Sequence, residues 1–111
     1  MIIRLTGARA SGKTKNTLRI ATQLALSKDI VVVSNGYICD KSINYNELYD
    51  LVLNSDERIH IKCLVIDDLM PSNAKNVKLL LKAIDYDILI VNYIANYNLR
   101  IDFIHSINYI I

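Results

Sequence analysis

Short apolar runs and longer amphipathic segments alternate along the chain, and this alternation predicts strands separated by helices. The run Ile30–Val33 is β-branched or apolar at every position, which is typical of a buried parallel strand. Further strands are predicted at residues 2–6, 63–66 and 87–91. An order of strand, helix, strand predicts an α/β fold with a mostly parallel sheet.

Three predicted helices carry apolar residues at helical spacing, with charged or polar residues on their other faces. The first begins after Thr14 and continues for about three turns, the second covers residues 44–53, and the third covers residues 72–84. Their apolar positions are Leu18, Ala21, Leu24 and Ala25, then Leu48, Leu51 and Val52, then Val77, Leu80, Leu81 and Ile84.

The tail at residues 98–111 has two interpretations. A short helix fits its apolar residues, which are Leu99, Ile101, Phe103, Ile104 and Ile107. Residues 109–111 fit the start of a last strand. A strand period also fits part of this segment, so both interpretations stay open.

A glycine-rich segment lies between the first predicted strand and the first predicted helix. Its residues are Gly7, Ala8, Arg9, Ala10, Ser11, Gly12, Lys13 and Thr14, which fit G-x-x-x-x-G-K-[ST] at every fixed position. In such a phosphate-binding loop, or P-loop, backbone N–H groups and the helix N-terminus face the phosphates. Lys13 is predicted to reach the β- and γ-phosphates of ATP, and the Thr14 hydroxyl to bind Mg²⁺. The plainer alternative is a glycine turn with a solvated lysine.

Two carboxylates, Asp67 and Asp68, follow the apolar run at residues 63–66. We expect this strand to lie beside the first strand, which would bring Asp67 within one water molecule of a Mg²⁺ ion held by Thr14. Asp68 is the candidate that orients or deprotonates the attacking water in hydrolysis. The plainer alternative is that the pair caps a helix or a turn, although the following Pro-Ser-Asn segment can supply that cap.

Other polar residues give weaker indications. Asn92 follows the run at residues 87–91, where it can face a nucleotide or cap the next turn. Lys75, Lys78 and Lys82 lie opposite the apolar stripe of the third predicted helix. Such a stripe can follow a nucleic-acid backbone, but a solvated helix face is its commoner role. Nucleic acid is therefore only a hypothetical partner.

Length and composition limit the possibilities further. With 111 residues, 52% of them hydrophobic, the chain is predicted to form one domain over residues 1–111. No apolar run approaches the roughly 18 residues of a membrane span, and no signal-peptide pattern is visible. Cys39 and Cys63 indicate neither a disulfide nor a metal site, which predicts a reduced, cytoplasmic location. A net charge of +2 does not by itself indicate nucleic-acid binding.

The glycine-rich segment, the strand before Asp67 and Asp68, and the element order resemble the RecA-like (additional-strand) core of P-loop ATPases over nearly the whole chain. The resemblance implies a three-layer α/β/α fold whose five-stranded, mostly parallel sheet has the order 5-1-4-3-2. It also implies that Asn92 is a γ-phosphate sensor, and that Asp68 takes a place where the family usually has glutamate. Because aspartate is one methylene shorter and reaches about 1.5 Å less far, we expect slow turnover.

Asn92 and residues 98–102 are also similar to small viral packaging and assembly ATPases of the FtsK/HerA and zonula-occludens-toxin-like groups, which usually carry Gln at the sensor position. This similarity, and a composition typical of AT-rich genomes, implies a viral or phage protein. RecA-like ATPases commonly complete their site with a positive side chain from a neighbouring subunit, and Arg100 is the candidate for that role in a homo-oligomer or larger assembly. A surface arginine that caps the last helix is the plainer alternative.

The resulting hypothesis is a Mg²⁺-dependent, ATP-binding protein, a slow ATPase that serves a nucleic-acid-handling, packaging or assembly machine. A nucleotide or nucleoside kinase is one alternative, because residues 7–14 and Ile30–Val33 also resemble the start of a thymidine kinase; short loops leave little room for a large acceptor pocket. A regulatory module that binds nucleotide without turnover is another. A GTPase is disfavoured, because Asn92 begins Asn-Tyr-Ile-Ala and not the guanine-specifying N-K-x-D.

Overall fold

A computed structural model describes residues 1–26, 29–95, 99 and 105–111 of the chain. These residues form an α/β structure with one six-stranded sheet and three helices. The strands are β1 (Ile2–Gly7), β2 (Ile30–Val33), β3 (Ser42–Ile43), β4 (Ile59–Ile66), β5 (Ile84–Ile94) and β6 (Ser106–Ile110), and the helices are α1 (Lys13–Ala25), α2 (Tyr45–Leu53) and α3 (Pro71–Ala83).

The strand order across the sheet is β3-β2-β4-β5-β1-β6, and every strand pairing within the described ranges is parallel. Without β3, and taken from the other edge of the sheet, the order is β6-β1-β5-β4-β2. If these five strands are numbered from one to five along the chain, this is the order 5-1-4-3-2 that the resemblance implies. The predicted count of five is wrong, because β3 is only two residues long and pairs with the end of β2 through tertiary contacts that no apolar run signals. Parallel pairing places the carboxyl ends of all strands at one edge of the sheet.

The expectation that the Asp67 strand lies beside the first strand is also wrong. β5 lies between β1 and β4 and pairs with both. Asn92 is therefore on the strand that adjoins β1, while Asp67 follows a strand one position further away. The loop after β1 has to reach across the end of β5 to bring its residues to Asp67.

Two apolar clusters cover the two faces of the sheet. On one face α1 packs on strand residues of alternating positions, and that cluster includes Ala21, Ala25, Ile3, Leu5, Val32, Cys63, Val65, Ile88 and Ile90. On the other face α2 and α3 pack on the intervening positions, with Leu48, Val77, Leu80, Val33, Leu64, Ile66, Leu89 and Val91. Both faces of the central strands are therefore buried, which explains their continuous apolar runs.

The helix faces and ends differ in part from those predicted. The buried row of α1 is Lys13, Thr17, Ala21 and Ala25, whereas Leu24, a predicted member of the apolar face, is 39% exposed. In α2, Leu48 is buried but Leu51 is 46% exposed. α3 ends at Ala83, and Ile84 begins β5, where it pairs with Ile59 instead of completing the helix stripe. Strand pairing decides that boundary, because the complete burial of Ile84 suits an apolar residue of a strand as well as one of a helix.

The tail is only partly described. Ile107 lies in β6, so its assignment to a short helix is wrong. Tyr109 and Ile110 lie in β6 as predicted, whereas Ile111 follows the end of this strand. Leu99 packs on the cluster that includes α2 and α3. The predicted helix residues Ile101, Phe103 and Ile104 lie outside the described residues.

Membrane and redox features of the described ranges are simple. None of the helices in these ranges is long and apolar enough to cross a membrane. Both cysteines are free thiols, and Cys63 is buried in β4. Burial raises the pKa of the Cys63 thiol from 9.0 to about 11.

This thiol is expected to make stability fall at alkaline pH. Because its pKa is higher in the folded state than in the unfolded chain, its contribution is complete below about pH 9 and is lost as the pH rises toward 11. The loss amounts to at most about 3 kcal/mol of the free energy of unfolding. Urea unfolding of the parent and Cys63→Ala across this range checks the prediction: the variant should show a shallower pH dependence, and equal slopes would contradict it.

Candidate functional site

The glycine-rich loop joins the end of β1 to the start of α1, at the carboxyl edge of the sheet. Two of its residues have left-handed backbone conformations, Ala10 at φ 60° and Gly12 at φ 87°. Gly12 is the residue before α1, and within the described residues no side chain caps this helix and no acidic residue lies in its first turn. The first N–H groups and the positive end of the α1 dipole are therefore available to an anion.

Gly7 is held where the loop begins by close backbone neighbours. A Cβ at this position would lie 2.6 Å from the backbone oxygen of Ile111 and 2.7 Å from Ser11 Oγ. Ile111 is fixed there by its own N–H, which donates to the Thr6 carbonyl at 2.7 Å. The end of β6 thus packs directly on the start of the loop, and only glycine fits between them.

Gly7→Ala is therefore expected to destabilise the protein by about 1–3 kcal/mol, because the added Cβ would overlap the Ile111 backbone, which its hydrogen bond to Thr6 holds in place. Gly36→Ala is the matched control, since a Cβ built at Gly36 meets no described atom within 4 Å. Urea unfolding of the two variants checks the prediction. If Gly7→Ala were as stable as Gly36→Ala, the close approach of β6 to the loop would be wrong.

Lys13 is buried although it is charged. Its side chain is 8% exposed, and Nζ donates a hydrogen bond of 2.6 Å to the Ala8 carbonyl within the same loop. Arg9 lies on the exposed outer part of the loop. Two positive side chains therefore belong to one short loop, and the ammonium group of Lys13 is kept inside the curve of the backbone.

Thr14 and Asp67 meet at the carboxyl edge despite the strand between them. Thr14 Oγ1 donates to Asp67 Oδ1 at 2.8 Å, and Asp67 is only 6% exposed. Cis oxygen ligands of an octahedral Mg²⁺ ion lie roughly 3 Å apart, because each Mg–O distance is about 2.1 Å. The Thr14 hydroxyl and the Asp67 carboxylate thus have the chemistry and the spacing of a hard-cation site.

Asn92 is completely buried and holds the carboxylate side of the site together. Its Nδ2 donates to Asp67 Oδ1 at 2.8 Å and to Thr17 Oγ1 at 2.9 Å. Its Oδ1 accepts a hydrogen bond of 2.5 Å from the backbone N–H of Asp68. Asn92 is not the last residue of its strand, since β5 continues to Ile94. Both amide hydrogens of Asn92 are therefore already donated, one to Asp67 after β4 and one to Thr17 of α1.

Asp68 has an exposed side chain on an unusual backbone. Its φ is 50°, in the left-handed region that aspartate adopts more readily than most residues. The hydrogen bond from its N–H to Asn92 holds this conformation. The turn directs the chain away from β4 immediately after Asp67, which leaves the Asp68 carboxylate accessible at the rim of the site.

A cavity of about 340 Å³ brings these groups together. It is lined by Arg9, Ala10, Lys13, Thr14, Asp67, Asp68, Met70, Asn92 and Ile94. Most of the residues predicted to act on nucleotide therefore line one cavity, with positive charges from the loop on one side and carboxylates on the other. Gly7, Ala8, Ser11 and Gly12 form the loop itself. Arg100 lies outside the described residues.

Tyr45, at the start of α2, lies close enough to Asp67 and Asp68 to interact electrostatically with both carboxylates. Burial, and to a smaller extent the negative charges of Asp67 and Asp68, raise the pKa of its phenol from 10.0 to about 12. The phenol therefore stays neutral throughout the physiological range. A cation bound at the carboxylates would reduce the field that Tyr45 experiences.

Sequence reasoning missed Thr17, whose side chain is completely buried against Asn92. A signal was present, because Thr17 is four residues after Lys13 and four before Ala21, in the row of α1 that faces the sheet. A hydroxyl in such a row needs a partner. Met70 and Ile94, which add apolar surface to the cavity, were also missed, and they follow no polar motif.

No group of three or more His, Cys, Asp or Glu side chains is placed to hold a metal ion in the described ranges. A Mg²⁺ ion at Thr14 and Asp67 would therefore need further oxygen ligands from phosphate and water, as Mg²⁺ commonly has in nucleotide-binding proteins.

In comparisons with known proteins, no protein-family model and no curated protein matches the chain.

Proposed function

We propose that the protein binds Mg²⁺-ATP through a P-loop at residues 7–14 and hydrolyses it slowly. The observation that carries this proposal is the hydrogen bond of 2.8 Å between Thr14 Oγ1 and Asp67 Oδ1, in a cavity that Lys13 also lines. A lysine, a hydroxyl and a buried carboxylate at one helix N-terminus suit a chain of phosphates and its cation. The proposal includes a three-layer, RecA-like fold for the protein.

Lys13 would change its partner when ATP binds. In the free protein its ammonium group donates to the neutral carbonyl of Ala8. A charged phosphate oxygen is a stronger acceptor than a carbonyl, so the β- and γ-phosphates would draw Nζ away from Ala8. The uncapped N–H groups at the start of α1 would bind the β-phosphate, and Arg9 would add positive charge at the rim.

Thr14 and Asp67 would hold Mg²⁺, which as a Lewis acid would neutralise charge on the β- and γ-phosphate oxygens. Asp68 would orient a water molecule and accept its proton. The water oxygen bonds to the γ-phosphorus as the bond to the β–γ bridging oxygen breaks, which gives ADP and phosphate. The short side chain of Asp68 is the reason to expect slow turnover.

The biological role in this proposal is that of an ATPase subunit in a nucleic-acid-handling, packaging or assembly machine of a virus or phage. It depends on the resemblance to RecA-like ATPases. Lys75, Lys78 and Lys82 are exposed on α3, where a nucleic-acid backbone could contact them. Phosphate release with and without single- and double-stranded DNA and RNA tests both activity and partner.

A second candidate function, phosphoryl transfer to a small molecule, is favoured by a second cavity. It has a volume of about 220 Å³ and lies at the ends of β2 and β3, lined by Ser34, Asn35, Gly36, Tyr37, Ser42, Ile43, Asn44 and Glu47. Asn35 Nδ2 lies 3.8 Å from the sulfur of Met70, which lines the first cavity. A hydroxyl-bearing acceptor of about nucleoside size could therefore lie beside the γ-phosphate.

One assay separates these candidates. ATP is incubated with the protein and Mg²⁺, alone, with each nucleic acid and with a panel of nucleosides, and bound ATP, ADP, phosphate and phosphorylated nucleoside are measured. The ATPase proposal predicts equal amounts of ADP and phosphate. ADP matched by phosphorylated nucleoside would instead support the kinase, and ATP binding without ADP would support a regulatory module. Absence of ATP binding would contradict all three.

A further inference from the structure

Thr17 occupies a place in α1 that phosphate binding does not require. Its side chain is completely buried in the row that faces the sheet, between Lys13 and Ala21. Its Oγ1 accepts a hydrogen bond of 2.9 Å from Asn92 Nδ2. An alanine or valine would fill such a position without having to satisfy a hydroxyl, so the hydroxyl itself calls for an explanation.

The contacts of Thr17 form part of a chain of hydrogen bonds that begins and ends on α1. Asn92 Nδ2 donates both to Thr17 Oγ1 and to Asp67 Oδ1, and Asp67 Oδ1 accepts in turn from Thr14 Oγ1. Thr14 and Thr17, at the two ends of this chain, are about one helical turn apart on α1. Side chains thus join α1 and β5 to Asp67, which directly follows β4, at the wall of the cavity.

These hydrogen bonds determine how the amide of Asn92 is oriented. Its Oδ1 accepts from the N–H of Asp68, and its Nδ2 needs acceptors on the opposite side. Thr17 Oγ1 and Asp67 Oδ1 supply the two acceptors. Without the Thr17 hydroxyl, one amide hydrogen of a fully buried residue would lose its partner, and rotation of Asn92 would release both Asp67 and the left-handed turn at Asp68.

We propose that Thr17 is a positioning residue, which acts through Asn92 to hold the Asp67 carboxylate in the direction that binds Mg²⁺. This inference rests on the proposed function. Partners that orient a metal-binding carboxylate commonly change metal affinity by 10- to 100-fold when they are removed. Loss of the Thr17 hydroxyl therefore weakens the binding of Mg²⁺ with ATP, while the loop contacts that bind ATP without metal are kept.

The test compares Thr17→Val, which keeps the shape but removes the hydroxyl, with Thr17→Ser, which keeps the hydroxyl. Thr22→Val, on an exposed position of the same helix, is the control. ATP affinity is measured with a fluorescent ATP analogue, first in EDTA and then as Mg²⁺ is titrated. Thr17→Val is expected to need about 10-fold more Mg²⁺ for half-maximal enhancement, with its affinity in EDTA unchanged. Thr17→Ser and Thr22→Val should behave like the parent.

A parental Mg²⁺ requirement in Thr17→Val would overturn the inference while leaving the proposed function intact. The inference would also be overturned if Thr17→Val and Thr17→Ser needed equally raised Mg²⁺ concentrations, or if Thr17→Val lost as much ATP affinity in EDTA as with Mg²⁺. Either result would indicate an effect of side-chain packing and not of the hydroxyl. If Thr17→Val does not fold, Thr17→Ala replaces it in the same comparison. A parent that binds no ATP would overturn the proposed function as well as this inference.

Discussion

Lys13→Ala is expected to weaken binding of Mg²⁺-ATP by at least about 100-fold, because it would remove the charged hydrogen bonds proposed between Lys13 and the β- and γ-phosphates. Lys13 is the charged group of the loop that is buried in the cavity, so water cannot simply replace it. Lys82→Ala, which removes an exposed lysine from the last turn of α3, should leave the affinity unchanged.

The Lys13 variant needs a stability control, because Nζ also bonds to the Ala8 carbonyl. Thermal unfolding of both lysine variants without nucleotide shows whether the loop itself has been damaged. A stable Lys13→Ala protein that has lost ATP binding would support the proposal. A stable variant that binds ATP as well as the parent would contradict the P-loop assignment, whatever its turnover.

Asp68→Asn is expected to slow ATP hydrolysis by about 100-fold, because a positioned carboxylate that accepts a proton contributes at least this much. Asparagine also tolerates the left-handed backbone that Asp68 adopts, so the turn should be kept. ATP affinity should change by no more than about 3-fold, since the carboxylate acts chiefly in the transition state. Phosphate release and nucleotide titration measure the two effects separately.

Asp67→Asn is expected to give a contrasting result, because Asp67 is buried beside Thr14 in the proposed cation site. It should weaken Mg²⁺-dependent binding as well as turnover. Asp56→Asn, at an exposed position before β4, serves as the neutral control. Unchanged turnover in Asp68→Asn would transfer the catalytic role to another residue. If Asp67→Asn and Asp68→Asn had the same effects, the division of roles between them would be wrong.

The parts of the structure that the sequence predicted well are those where local pattern and tertiary packing agree. Ile30–Val33 is a strand with the predicted ends, because a run of β-branched and apolar residues suits a strand buried on both faces. α2 begins within one residue of its predicted start, because Asn44 and Glu47 form a reciprocal capping box. Local chemistry alone specifies both features.

The errors arise where long-range contacts override local pattern. Ile84 continues the helical spacing of α3, yet its pairing with Ile59 places it in β5. Leu24 fits an apolar stripe, but the buried row of α1 contains Lys13 and Thr17 instead. Thr17 bonds there to Asn92 of β5, and Lys13 bonds to the Ala8 carbonyl of the loop. Hydropathy ranks a leucine above a threonine or a lysine, so it cannot predict a helix face chosen by hydrogen bonds.

The candidate site shows the same division. Its loop and carboxylates could be found in the sequence, because each is a local pattern with a chemical meaning. Their arrangement could not, because the position of β5 between β1 and β4, and the contact of Asn92 with both Asp67 and Thr17, depend on strand order and side-chain packing. Residues that act through other residues leave no motif.

A calorimetric titration of ATP into the parent protein tests the central claim most directly. It is carried out once with excess Mg²⁺ and once with EDTA, at the same ionic strength. Because Thr14 and Asp67 together are proposed to hold the cation against the phosphates, the account predicts one ATP per chain and markedly tighter binding with Mg²⁺. No binding in either titration, or the same affinity in both, would contradict it.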